Sequence, residues 1–173
     1  RSKSKLKLPT WFATEDIIYP SKISIEQTSS EITAKYKSEI INGNSLIDLS
    51  GGFGVDDYYF SKSFKTVVHC ELNQELSEIV AHNFNQLIAN NICCHFGDSY
   101  QILEKLNQKF DWIYIDPSRR NETKGKVFML KDCLPNVPEL QDFYYQFSNN
   151  ILIKTAPILD ISAGLSELKN VKS

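Results

Sequence analysis

Residues 46–60 read LIDLSGGFGVDDYYF: an apolar run, an acid at 48, glycines at 51, 52 and 54, then a stretch where acids and aromatics crowd together. Glycine reaches backbone conformations closed to other residues and lets a ligand approach the main chain. Directly after an apolar run, three glycines in four positions predict a strand, a turn able to cradle a small molecule, and a helix. An ordinary strand-to-helix loop has the same composition, so the reading depends on what surrounds it.

Outward from this turn the chain alternates. After the strand at 46–49, apolar runs at 66–70 (TVVHC), 92–96 (ICCHF), 112–115 (WIYI) and 151–153 (ILI) predict four more. Between them, Leu76, Ile79, Val80, Phe84, Leu87 and Ile88 recur at helical spacing behind an Asn73 cap, and YQILEKLN follows Asp98 and Ser99, either of which can cap it. Upstream, 28–41 predicts a helix: Thr28 and Glu31 form a capping-box pair, Ile32, Tyr36 and Ile40 mark one face, and Gly43 is the stop. Apolar strands without polar alternation, separated by helices, describe a mainly parallel sheet covered on both faces; right-handed crossovers make it a doubly wound, Rossmann-like α/β domain. Residues 1–27 read as an extended or irregular lead-in, 28–173 as the domain, and 121–138 as a loop and broken helix between the fourth and fifth strands.

With 42% hydrophobic and 12% aromatic residues, 173 positions suffice for one folded domain. Nineteen Lys and Arg against 21 Asp and Glu give a net charge of −2, so affinity for nucleic acid must come from a local patch. No apolar run approaches the roughly 20 residues of a membrane span, and the basic start lacks the apolar core of a secretion signal. A cytoplasmic protein is expected. Cys70, Cys93, Cys94 and Cys133 lack CxxC spacing and read as reduced thiols; His69, His82 and His95 lack i,i+4 pairing, so no metal site is expected.

In a doubly wound sheet, ligands bind at the carboxyl ends of the strands. Four successive ends carry an acid in or just beyond them: Asp48, Glu71, Asp98 and Asp116. Glu71 stands 19 residues after Gly52, the spacing at which an acid meets ribose hydroxyls. The full G-x-G-x-x-G of a pyrophosphate site is broken, because Asp57 stands where the third glycine belongs with Asp56 beside it. Two carboxylates at a helix start repel phosphate, so the turn suits an adenosine ligand with no phosphate and a positive centre.

DLSGGFG, Glu71, GDS and DPSRR resemble the nucleotide-binding and acceptor motifs of class I S-adenosylmethionine-dependent methyltransferases, over residues 28–158. Within that class, TSSEITAKY and DPSRR resemble bacterial methyltransferases carrying an additional RNA-binding-like domain and, more distantly, the RNA cap trimethylguanosine synthases. The resemblance implies that Asp48 and the backbone of Ser50, Gly51, Gly52 and Gly54 hold the methionine portion of S-adenosylmethionine, and Glu71 the ribose. It places Asp98 at the adenine amino group, Ser99 near the ring, and Asp116 and Pro117 where the methyl group meets its acceptor. Ser50 departs from the glycine of the common pattern, and the class's sixth and seventh strands are missing, so a fragment of a longer protein is expected.

Enzymes that methylate exocyclic amines often carry Asp/Asn/Ser-Pro-Pro-aromatic; here Ser118 and Arg119 replace the last two positions. Uracil C5 transfer needs a cysteine after the fifth strand, and ILIKTAPILDI has none. Asp116 is the expected catalytic residue, with Pro117, Ser118 and Arg119 at the acceptor opening. Arg119, Arg120, Lys124, Lys126 and Lys131 form a basic run that reads equally as a grip on RNA phosphates or as solvated surface. Methyl transfer to RNA is therefore the leading expectation, ahead of a non-catalytic RNA-binding or scaffold module and of a nicotinamide-dependent oxidoreductase.

Overall fold

The computed structural model describes residues 6–20, 26–119, 129–156 and 159–172. Five strands, β1 (Gly43–Asp48), β2 (Phe64–Glu71), β3 (Ile92–Phe96), β4 (Trp112–Ile115) and β7 (Ile151–Ile153), form one parallel sheet in the order β3-β2-β1-β4-β7. A two-residue antiparallel pair, β5 (Ser118–Arg119) and β6 (Cys133–Leu134), stands apart. Helices lying wholly among the described residues are α1 (Pro9–Ala13), α2 (Glu31–Ile40), α3 (Val55–Phe60), α4 (Gln74–Gln86), α5 (Ser99–Leu106), α6 (Val137–Tyr144) and α7 (Ile161–Glu167). Among the described residues no helix is long and apolar enough to cross a membrane.

Side chains alternate across the sheet, and both faces are filled. Ile47, Ile113 and Ile115 join one core with Leu103, Val137 and Tyr144; Leu46 and Tyr114 join another with Phe60, Phe64 and Val67. Burial on both faces is why these strands show no polar alternation in sequence. The strand order reverses at β1, which has β2 on one side and β4 on the other. The loops leaving β1 and β4 therefore diverge and open a crevice above the middle of the sheet.

Several local expectations are corrected. Ser30, not Thr28, caps α2, its Oγ accepting from Thr33 N–H at 3.2 Å. Glu31 instead reaches the lead-in, accepting from the Thr10 amide at 2.7 Å, the Thr10 hydroxyl at 2.6 Å and the Tyr59 hydroxyl at 2.7 Å. That bond set turns Ala34, Lys37 and Ser38 inward and leaves Ile32, Tyr36 and Ile40 exposed. Gly43 opens β1 rather than stopping α2. Within the lead-in, Pro9–Ala13 is helical, with Pro at the helix start, and Leu8 and Trp11 are buried against Phe53 and Val55. Between β4 and β7, residues 121–128 of the expected loop and broken helix lie outside the described residues, Leu130–Asp132 is a 3-10 turn, and Val137–Tyr144 is a regular helix with an Asn136 cap.

Candidate active site

The glycine turn has the conformation that only glycine adopts readily: φ is +54° at Gly51, +73° at Gly52 and +76° at Gly54. Asp48 builds it. Its Oδ1 accepts from Ser50 N–H at 2.7 Å, Ser50 Oγ–H at 2.6 Å and Gly51 N–H at 3.1 Å. Glu71, at the end of β2, completes the turn by accepting from Gly52 N–H at 2.7 Å through Oε2 and from Asn73 N–H at 2.7 Å through Oε1. A Cβ on Gly51 would fall 2.3 Å from the Cys70 carbonyl oxygen, so the turn lies flat on β2. A Cβ on Gly52 would meet nothing within 4 Å.

That open side is a cavity of about 960 Å³, and Asp48, Glu71, Asp98 and Asp116 all line it. Ser50, Gly51, Gly52, Gly54, Ser99, Pro117 and Ser118 line it too, so the strand-end residues converge as expected. Asp98 also caps α5, accepting from Gln101 N–H at 3.2 Å. The Arg119 backbone pairs with Cys133 in the β5–β6 ribbon. Arg120, Lys124 and Lys126 lie outside the described residues, and Lys131, in a short 3-10 turn, gives its backbone N–H to Glu167 at 3.2 Å.

Asp56 and Asp57 do not act together on a ligand, which corrects the argument that both repel phosphate. Adjacent helical residues point about 100° apart, and these two enter different surroundings. Asp56 lines the cavity but is paired with Lys37, Nζ to Oδ1 2.6 Å, while its Oδ2 accepts from the hydroxyls of Ser29 and Tyr114, each at 2.9 Å. Lys37 also donates to Ser29 Oγ at 3.0 Å and to the Tyr114 hydroxyl at 2.8 Å. Asp57 points into the core, 2.5 Å from His69 Nδ1, at the position where a third glycine would have brought helix and strand together.

Asp48, Asp57 and His69 form a fully buried cluster whose nearest polar atoms lie within 4.8 Å of one another. Burial pushes both carboxyls well above the ordinary range, helped by the neighbouring acids, and pushes the imidazole below its ordinary value. Asp57 Oδ1 and His69 Nε2 have no partner among the described residues.

The opening after β4 contains a group that a search for acids and cysteines passes over. Lys154, the first residue beyond β7, places Nζ 2.6 Å from Asp116 Oδ2. Burial raises the Asp116 carboxyl above its usual value, and the Lys154 ammonium opposes that rise. Ser50, the departure from the common glycine, gives its hydroxyl proton to Asp48 and accepts from the Asp116 backbone N–H at 2.9 Å. The side chain absent from glycine thus ties the turn after β1 to the end of β4.

The fold is the mainly parallel, Rossmann-like sheet shared by methyltransferases. A "putative methyltransferase" from Porphyromonas gingivalis W83 superimposes with a TM-score of 0.84 at 29% identity, over 96% of this chain and 41% of that one. An O-methyltransferase from Bacillus cereus in complex with SAH matches with a TM-score of 0.56 at 16% identity, over 78% of this chain and 65% of that one. The tRNA m1G37 methyltransferase of M. jannaschii matches with a TM-score of 0.51 at 10% identity, over 70% and 34%. The chain therefore spans about two fifths of the P. gingivalis protein. No family model and no curated protein matches the sequence.

Proposed function

We propose that this chain transfers a methyl group from S-adenosylmethionine to a base in RNA. One observation carries the reading: four strand-end acids meet around a single cavity walled on one side by the bare main chain at Gly52. The residues fit the ligand. Each carboxylate oxygen has two lone-pair sites, so Glu71 can hold the turn and still accept from ribose hydroxyls. Asp48 acts through the turn it shapes, and the backbone from Ser50 to Gly54 faces the methionine portion. Asp98 and Ser99 take the adenine end.

Bound there, S-adenosylmethionine supplies a methyl group on a sulfonium, whose C–S electron pair returns to sulfur as the acceptor's lone pair bonds to carbon. The protein's part is alignment and removal of the acceptor proton. Asp116 stands at the acceptor side with Pro117, Ser118 and Arg119, and its carboxylate takes that proton. An RNA acceptor is supported by the basic run Arg119, Arg120, Lys124, Lys126 and Lys131, which follows Asp116 in the sequence, and by the use of the same sheet in a tRNA methyltransferase.

The test is transfer of labelled methyl from S-adenosylmethionine to a bulk RNA pool. Wild type labels the RNA, Asp48→Ala and Glu71→Ala abolish binding of the donor, and Asp116→Ala binds it but does not transfer. Binding without transfer to any RNA would favour the non-catalytic module, and transfer at the wild-type rate by Asp116→Ala would refute the role given to that residue.

A further inference from the structure

The Lys154–Asp116 pair differs from an ordinary surface bridge. Its side chains are 29% and 31% exposed, whereas those of Lys169 and Asp142, in an ion pair of similar length, are 61% and 75% exposed. Exposed pairs hold little because water competes for both partners. Here the two strands fix the geometry: β4 and β7 run in register, Ile115 beside Ile153, and the Lys154 N–H donates to the Ile115 carbonyl at 2.9 Å. The two side chains therefore leave adjacent strand ends in the same direction, and both line the cavity.

Asp116 is held from a second side through its backbone bond to Ser50. Lys154 engages Oδ2, and among the described residues no hydrogen bond reaches Oδ1. Resting on the methyl-transfer reading above, we propose that Lys154 is a positioning residue: its ammonium engages Oδ2 and presents Oδ1 to the N–H or O–H of the acceptor. In the step this serves, the acceptor's lone pair forms the bond to the methyl carbon while the C–S pair leaves with sulfur. The acceptor's proton passes to Asp116 Oδ1 and then to water. Lys154 keeps its protons throughout.

The other charged groups acting on Asp116 are Lys37 of α2, which favours the carboxylate, and Asp56 of α3, which opposes it; Tyr114 lies behind on β4. Lys7 is near enough to Lys154 to repel it. Removing Lys154 leaves Asp116 with the more distant Lys37 as its stabilising cation, so the carboxyl binds its proton more readily.

Lys154→Met and Lys154→Arg are compared with wild type in three measurements. Calorimetry with S-adenosylhomocysteine checks that the site is intact, with affinities expected within about threefold of one another. Carbon-13 NMR of aspartate carboxyls, with Asp116 assigned through Asp116→Asn, follows its titration without any acceptor. Labelled-methyl transfer to bulk RNA is measured across pH. In Lys154→Met, Asp116 titrates at higher pH, the acid limb of the rate profile moves the same way, and transfer falls at least tenfold. Lys154→Arg restores most of the rate. An unmoved Asp116 titration, or wild-type transfer by Lys154→Met, overturns the proposal. Ligand binding without transfer by wild type refutes the methyl-transfer reading, and with it the role given to Lys154, whereas the NMR arm judges the ion pair independently.

Discussion

Replacing Lys37 by methionine removes the cation from a network that has almost no water to replace it. The Lys37 and Asp56 side chains are 8% and 11% exposed, and their ion pair is the contact made by Asp56 Oδ1. Met has nearly the length of Lys, so the loss is electrostatic rather than steric. Breaking one side of a buried pair costs about 3–5 kcal/mol, because the remaining charge stays desolvated. The hydroxyls of Ser29 and Tyr114 still donate to Asp56 Oδ2, which places the expected loss toward the lower end, near about 3 kcal/mol. Against a total of roughly 5–15 kcal/mol for a domain, that is a large fraction. Urea unfolding should show a lower midpoint with an unchanged m-value. Adding Asp56→Asn removes the stranded charge and should recover about half of the loss, a coupling that a double-mutant cycle measures directly. A loss below about 1 kcal/mol in Lys37→Met, or no recovery in the double variant, would refute the claim that this network carries buried charge.

The two neighbouring glycines should separate folding from binding. In Gly51→Ala the new Cβ meets the Cys70 carbonyl at 2.3 Å at a φ of +54°, so thermal unfolding should show severe destabilisation. In Gly52→Ala the added methyl enters open space at a φ of +73°, so stability falls by only about 1–2 kcal/mol while calorimetry shows ligand affinity lost. Burial raises the Asp57 carboxyl well above the ordinary aspartate value of about 3.9. Its contribution to stability is complete below that value and is lost as pH rises through the folded-state value. Asp57→Asn should therefore flatten the decline of Tm with rising pH. His69 has the opposite sign: its lowered value gives stability that is present above about pH 6.5 and lost as pH falls through the folded-state value. Among the four cysteines Cys93 is exposed, Cys94 is pushed up to about 12 by burial, and Cys70 and Cys133 are buried. A native-state thiol titration should give one rapid equivalent, lost in Cys93→Ser.

The sheet was legible because buried parallel strands are short apolar runs, and the cavity because one rule, an acid at each strand end, names four of its walls. Orientation was harder to read. Ile32, Tyr36 and Ile40 have perfect helical spacing yet face outward, because Glu31 is drawn to Thr10 and Tyr59, partners separated from it by 21 and 28 residues. The Lys37–Asp56 and Asp57–His69 pairs join residues on different elements, and local sequence contains no sign of such pairing. The β5–β6 ribbon is two residues per strand, too short to produce a period. Lys154 also stands at a strand end, but a rule framed on acids does not reach a cation. Ser50, visible only as a departure from glycine, acquired a reason once its hydroxyl was found between Asp48 and Asp116.

The most direct test is calorimetric titration of wild type and Glu71→Ala with S-adenosylhomocysteine and, separately, with NAD. We predict saturable one-to-one binding of S-adenosylhomocysteine to wild type, at least tenfold weaker binding to Glu71→Ala, and no binding of NAD. Tighter binding of NAD, or equal binding of S-adenosylhomocysteine by the two proteins, would contradict an adenosyl site built from these strand ends.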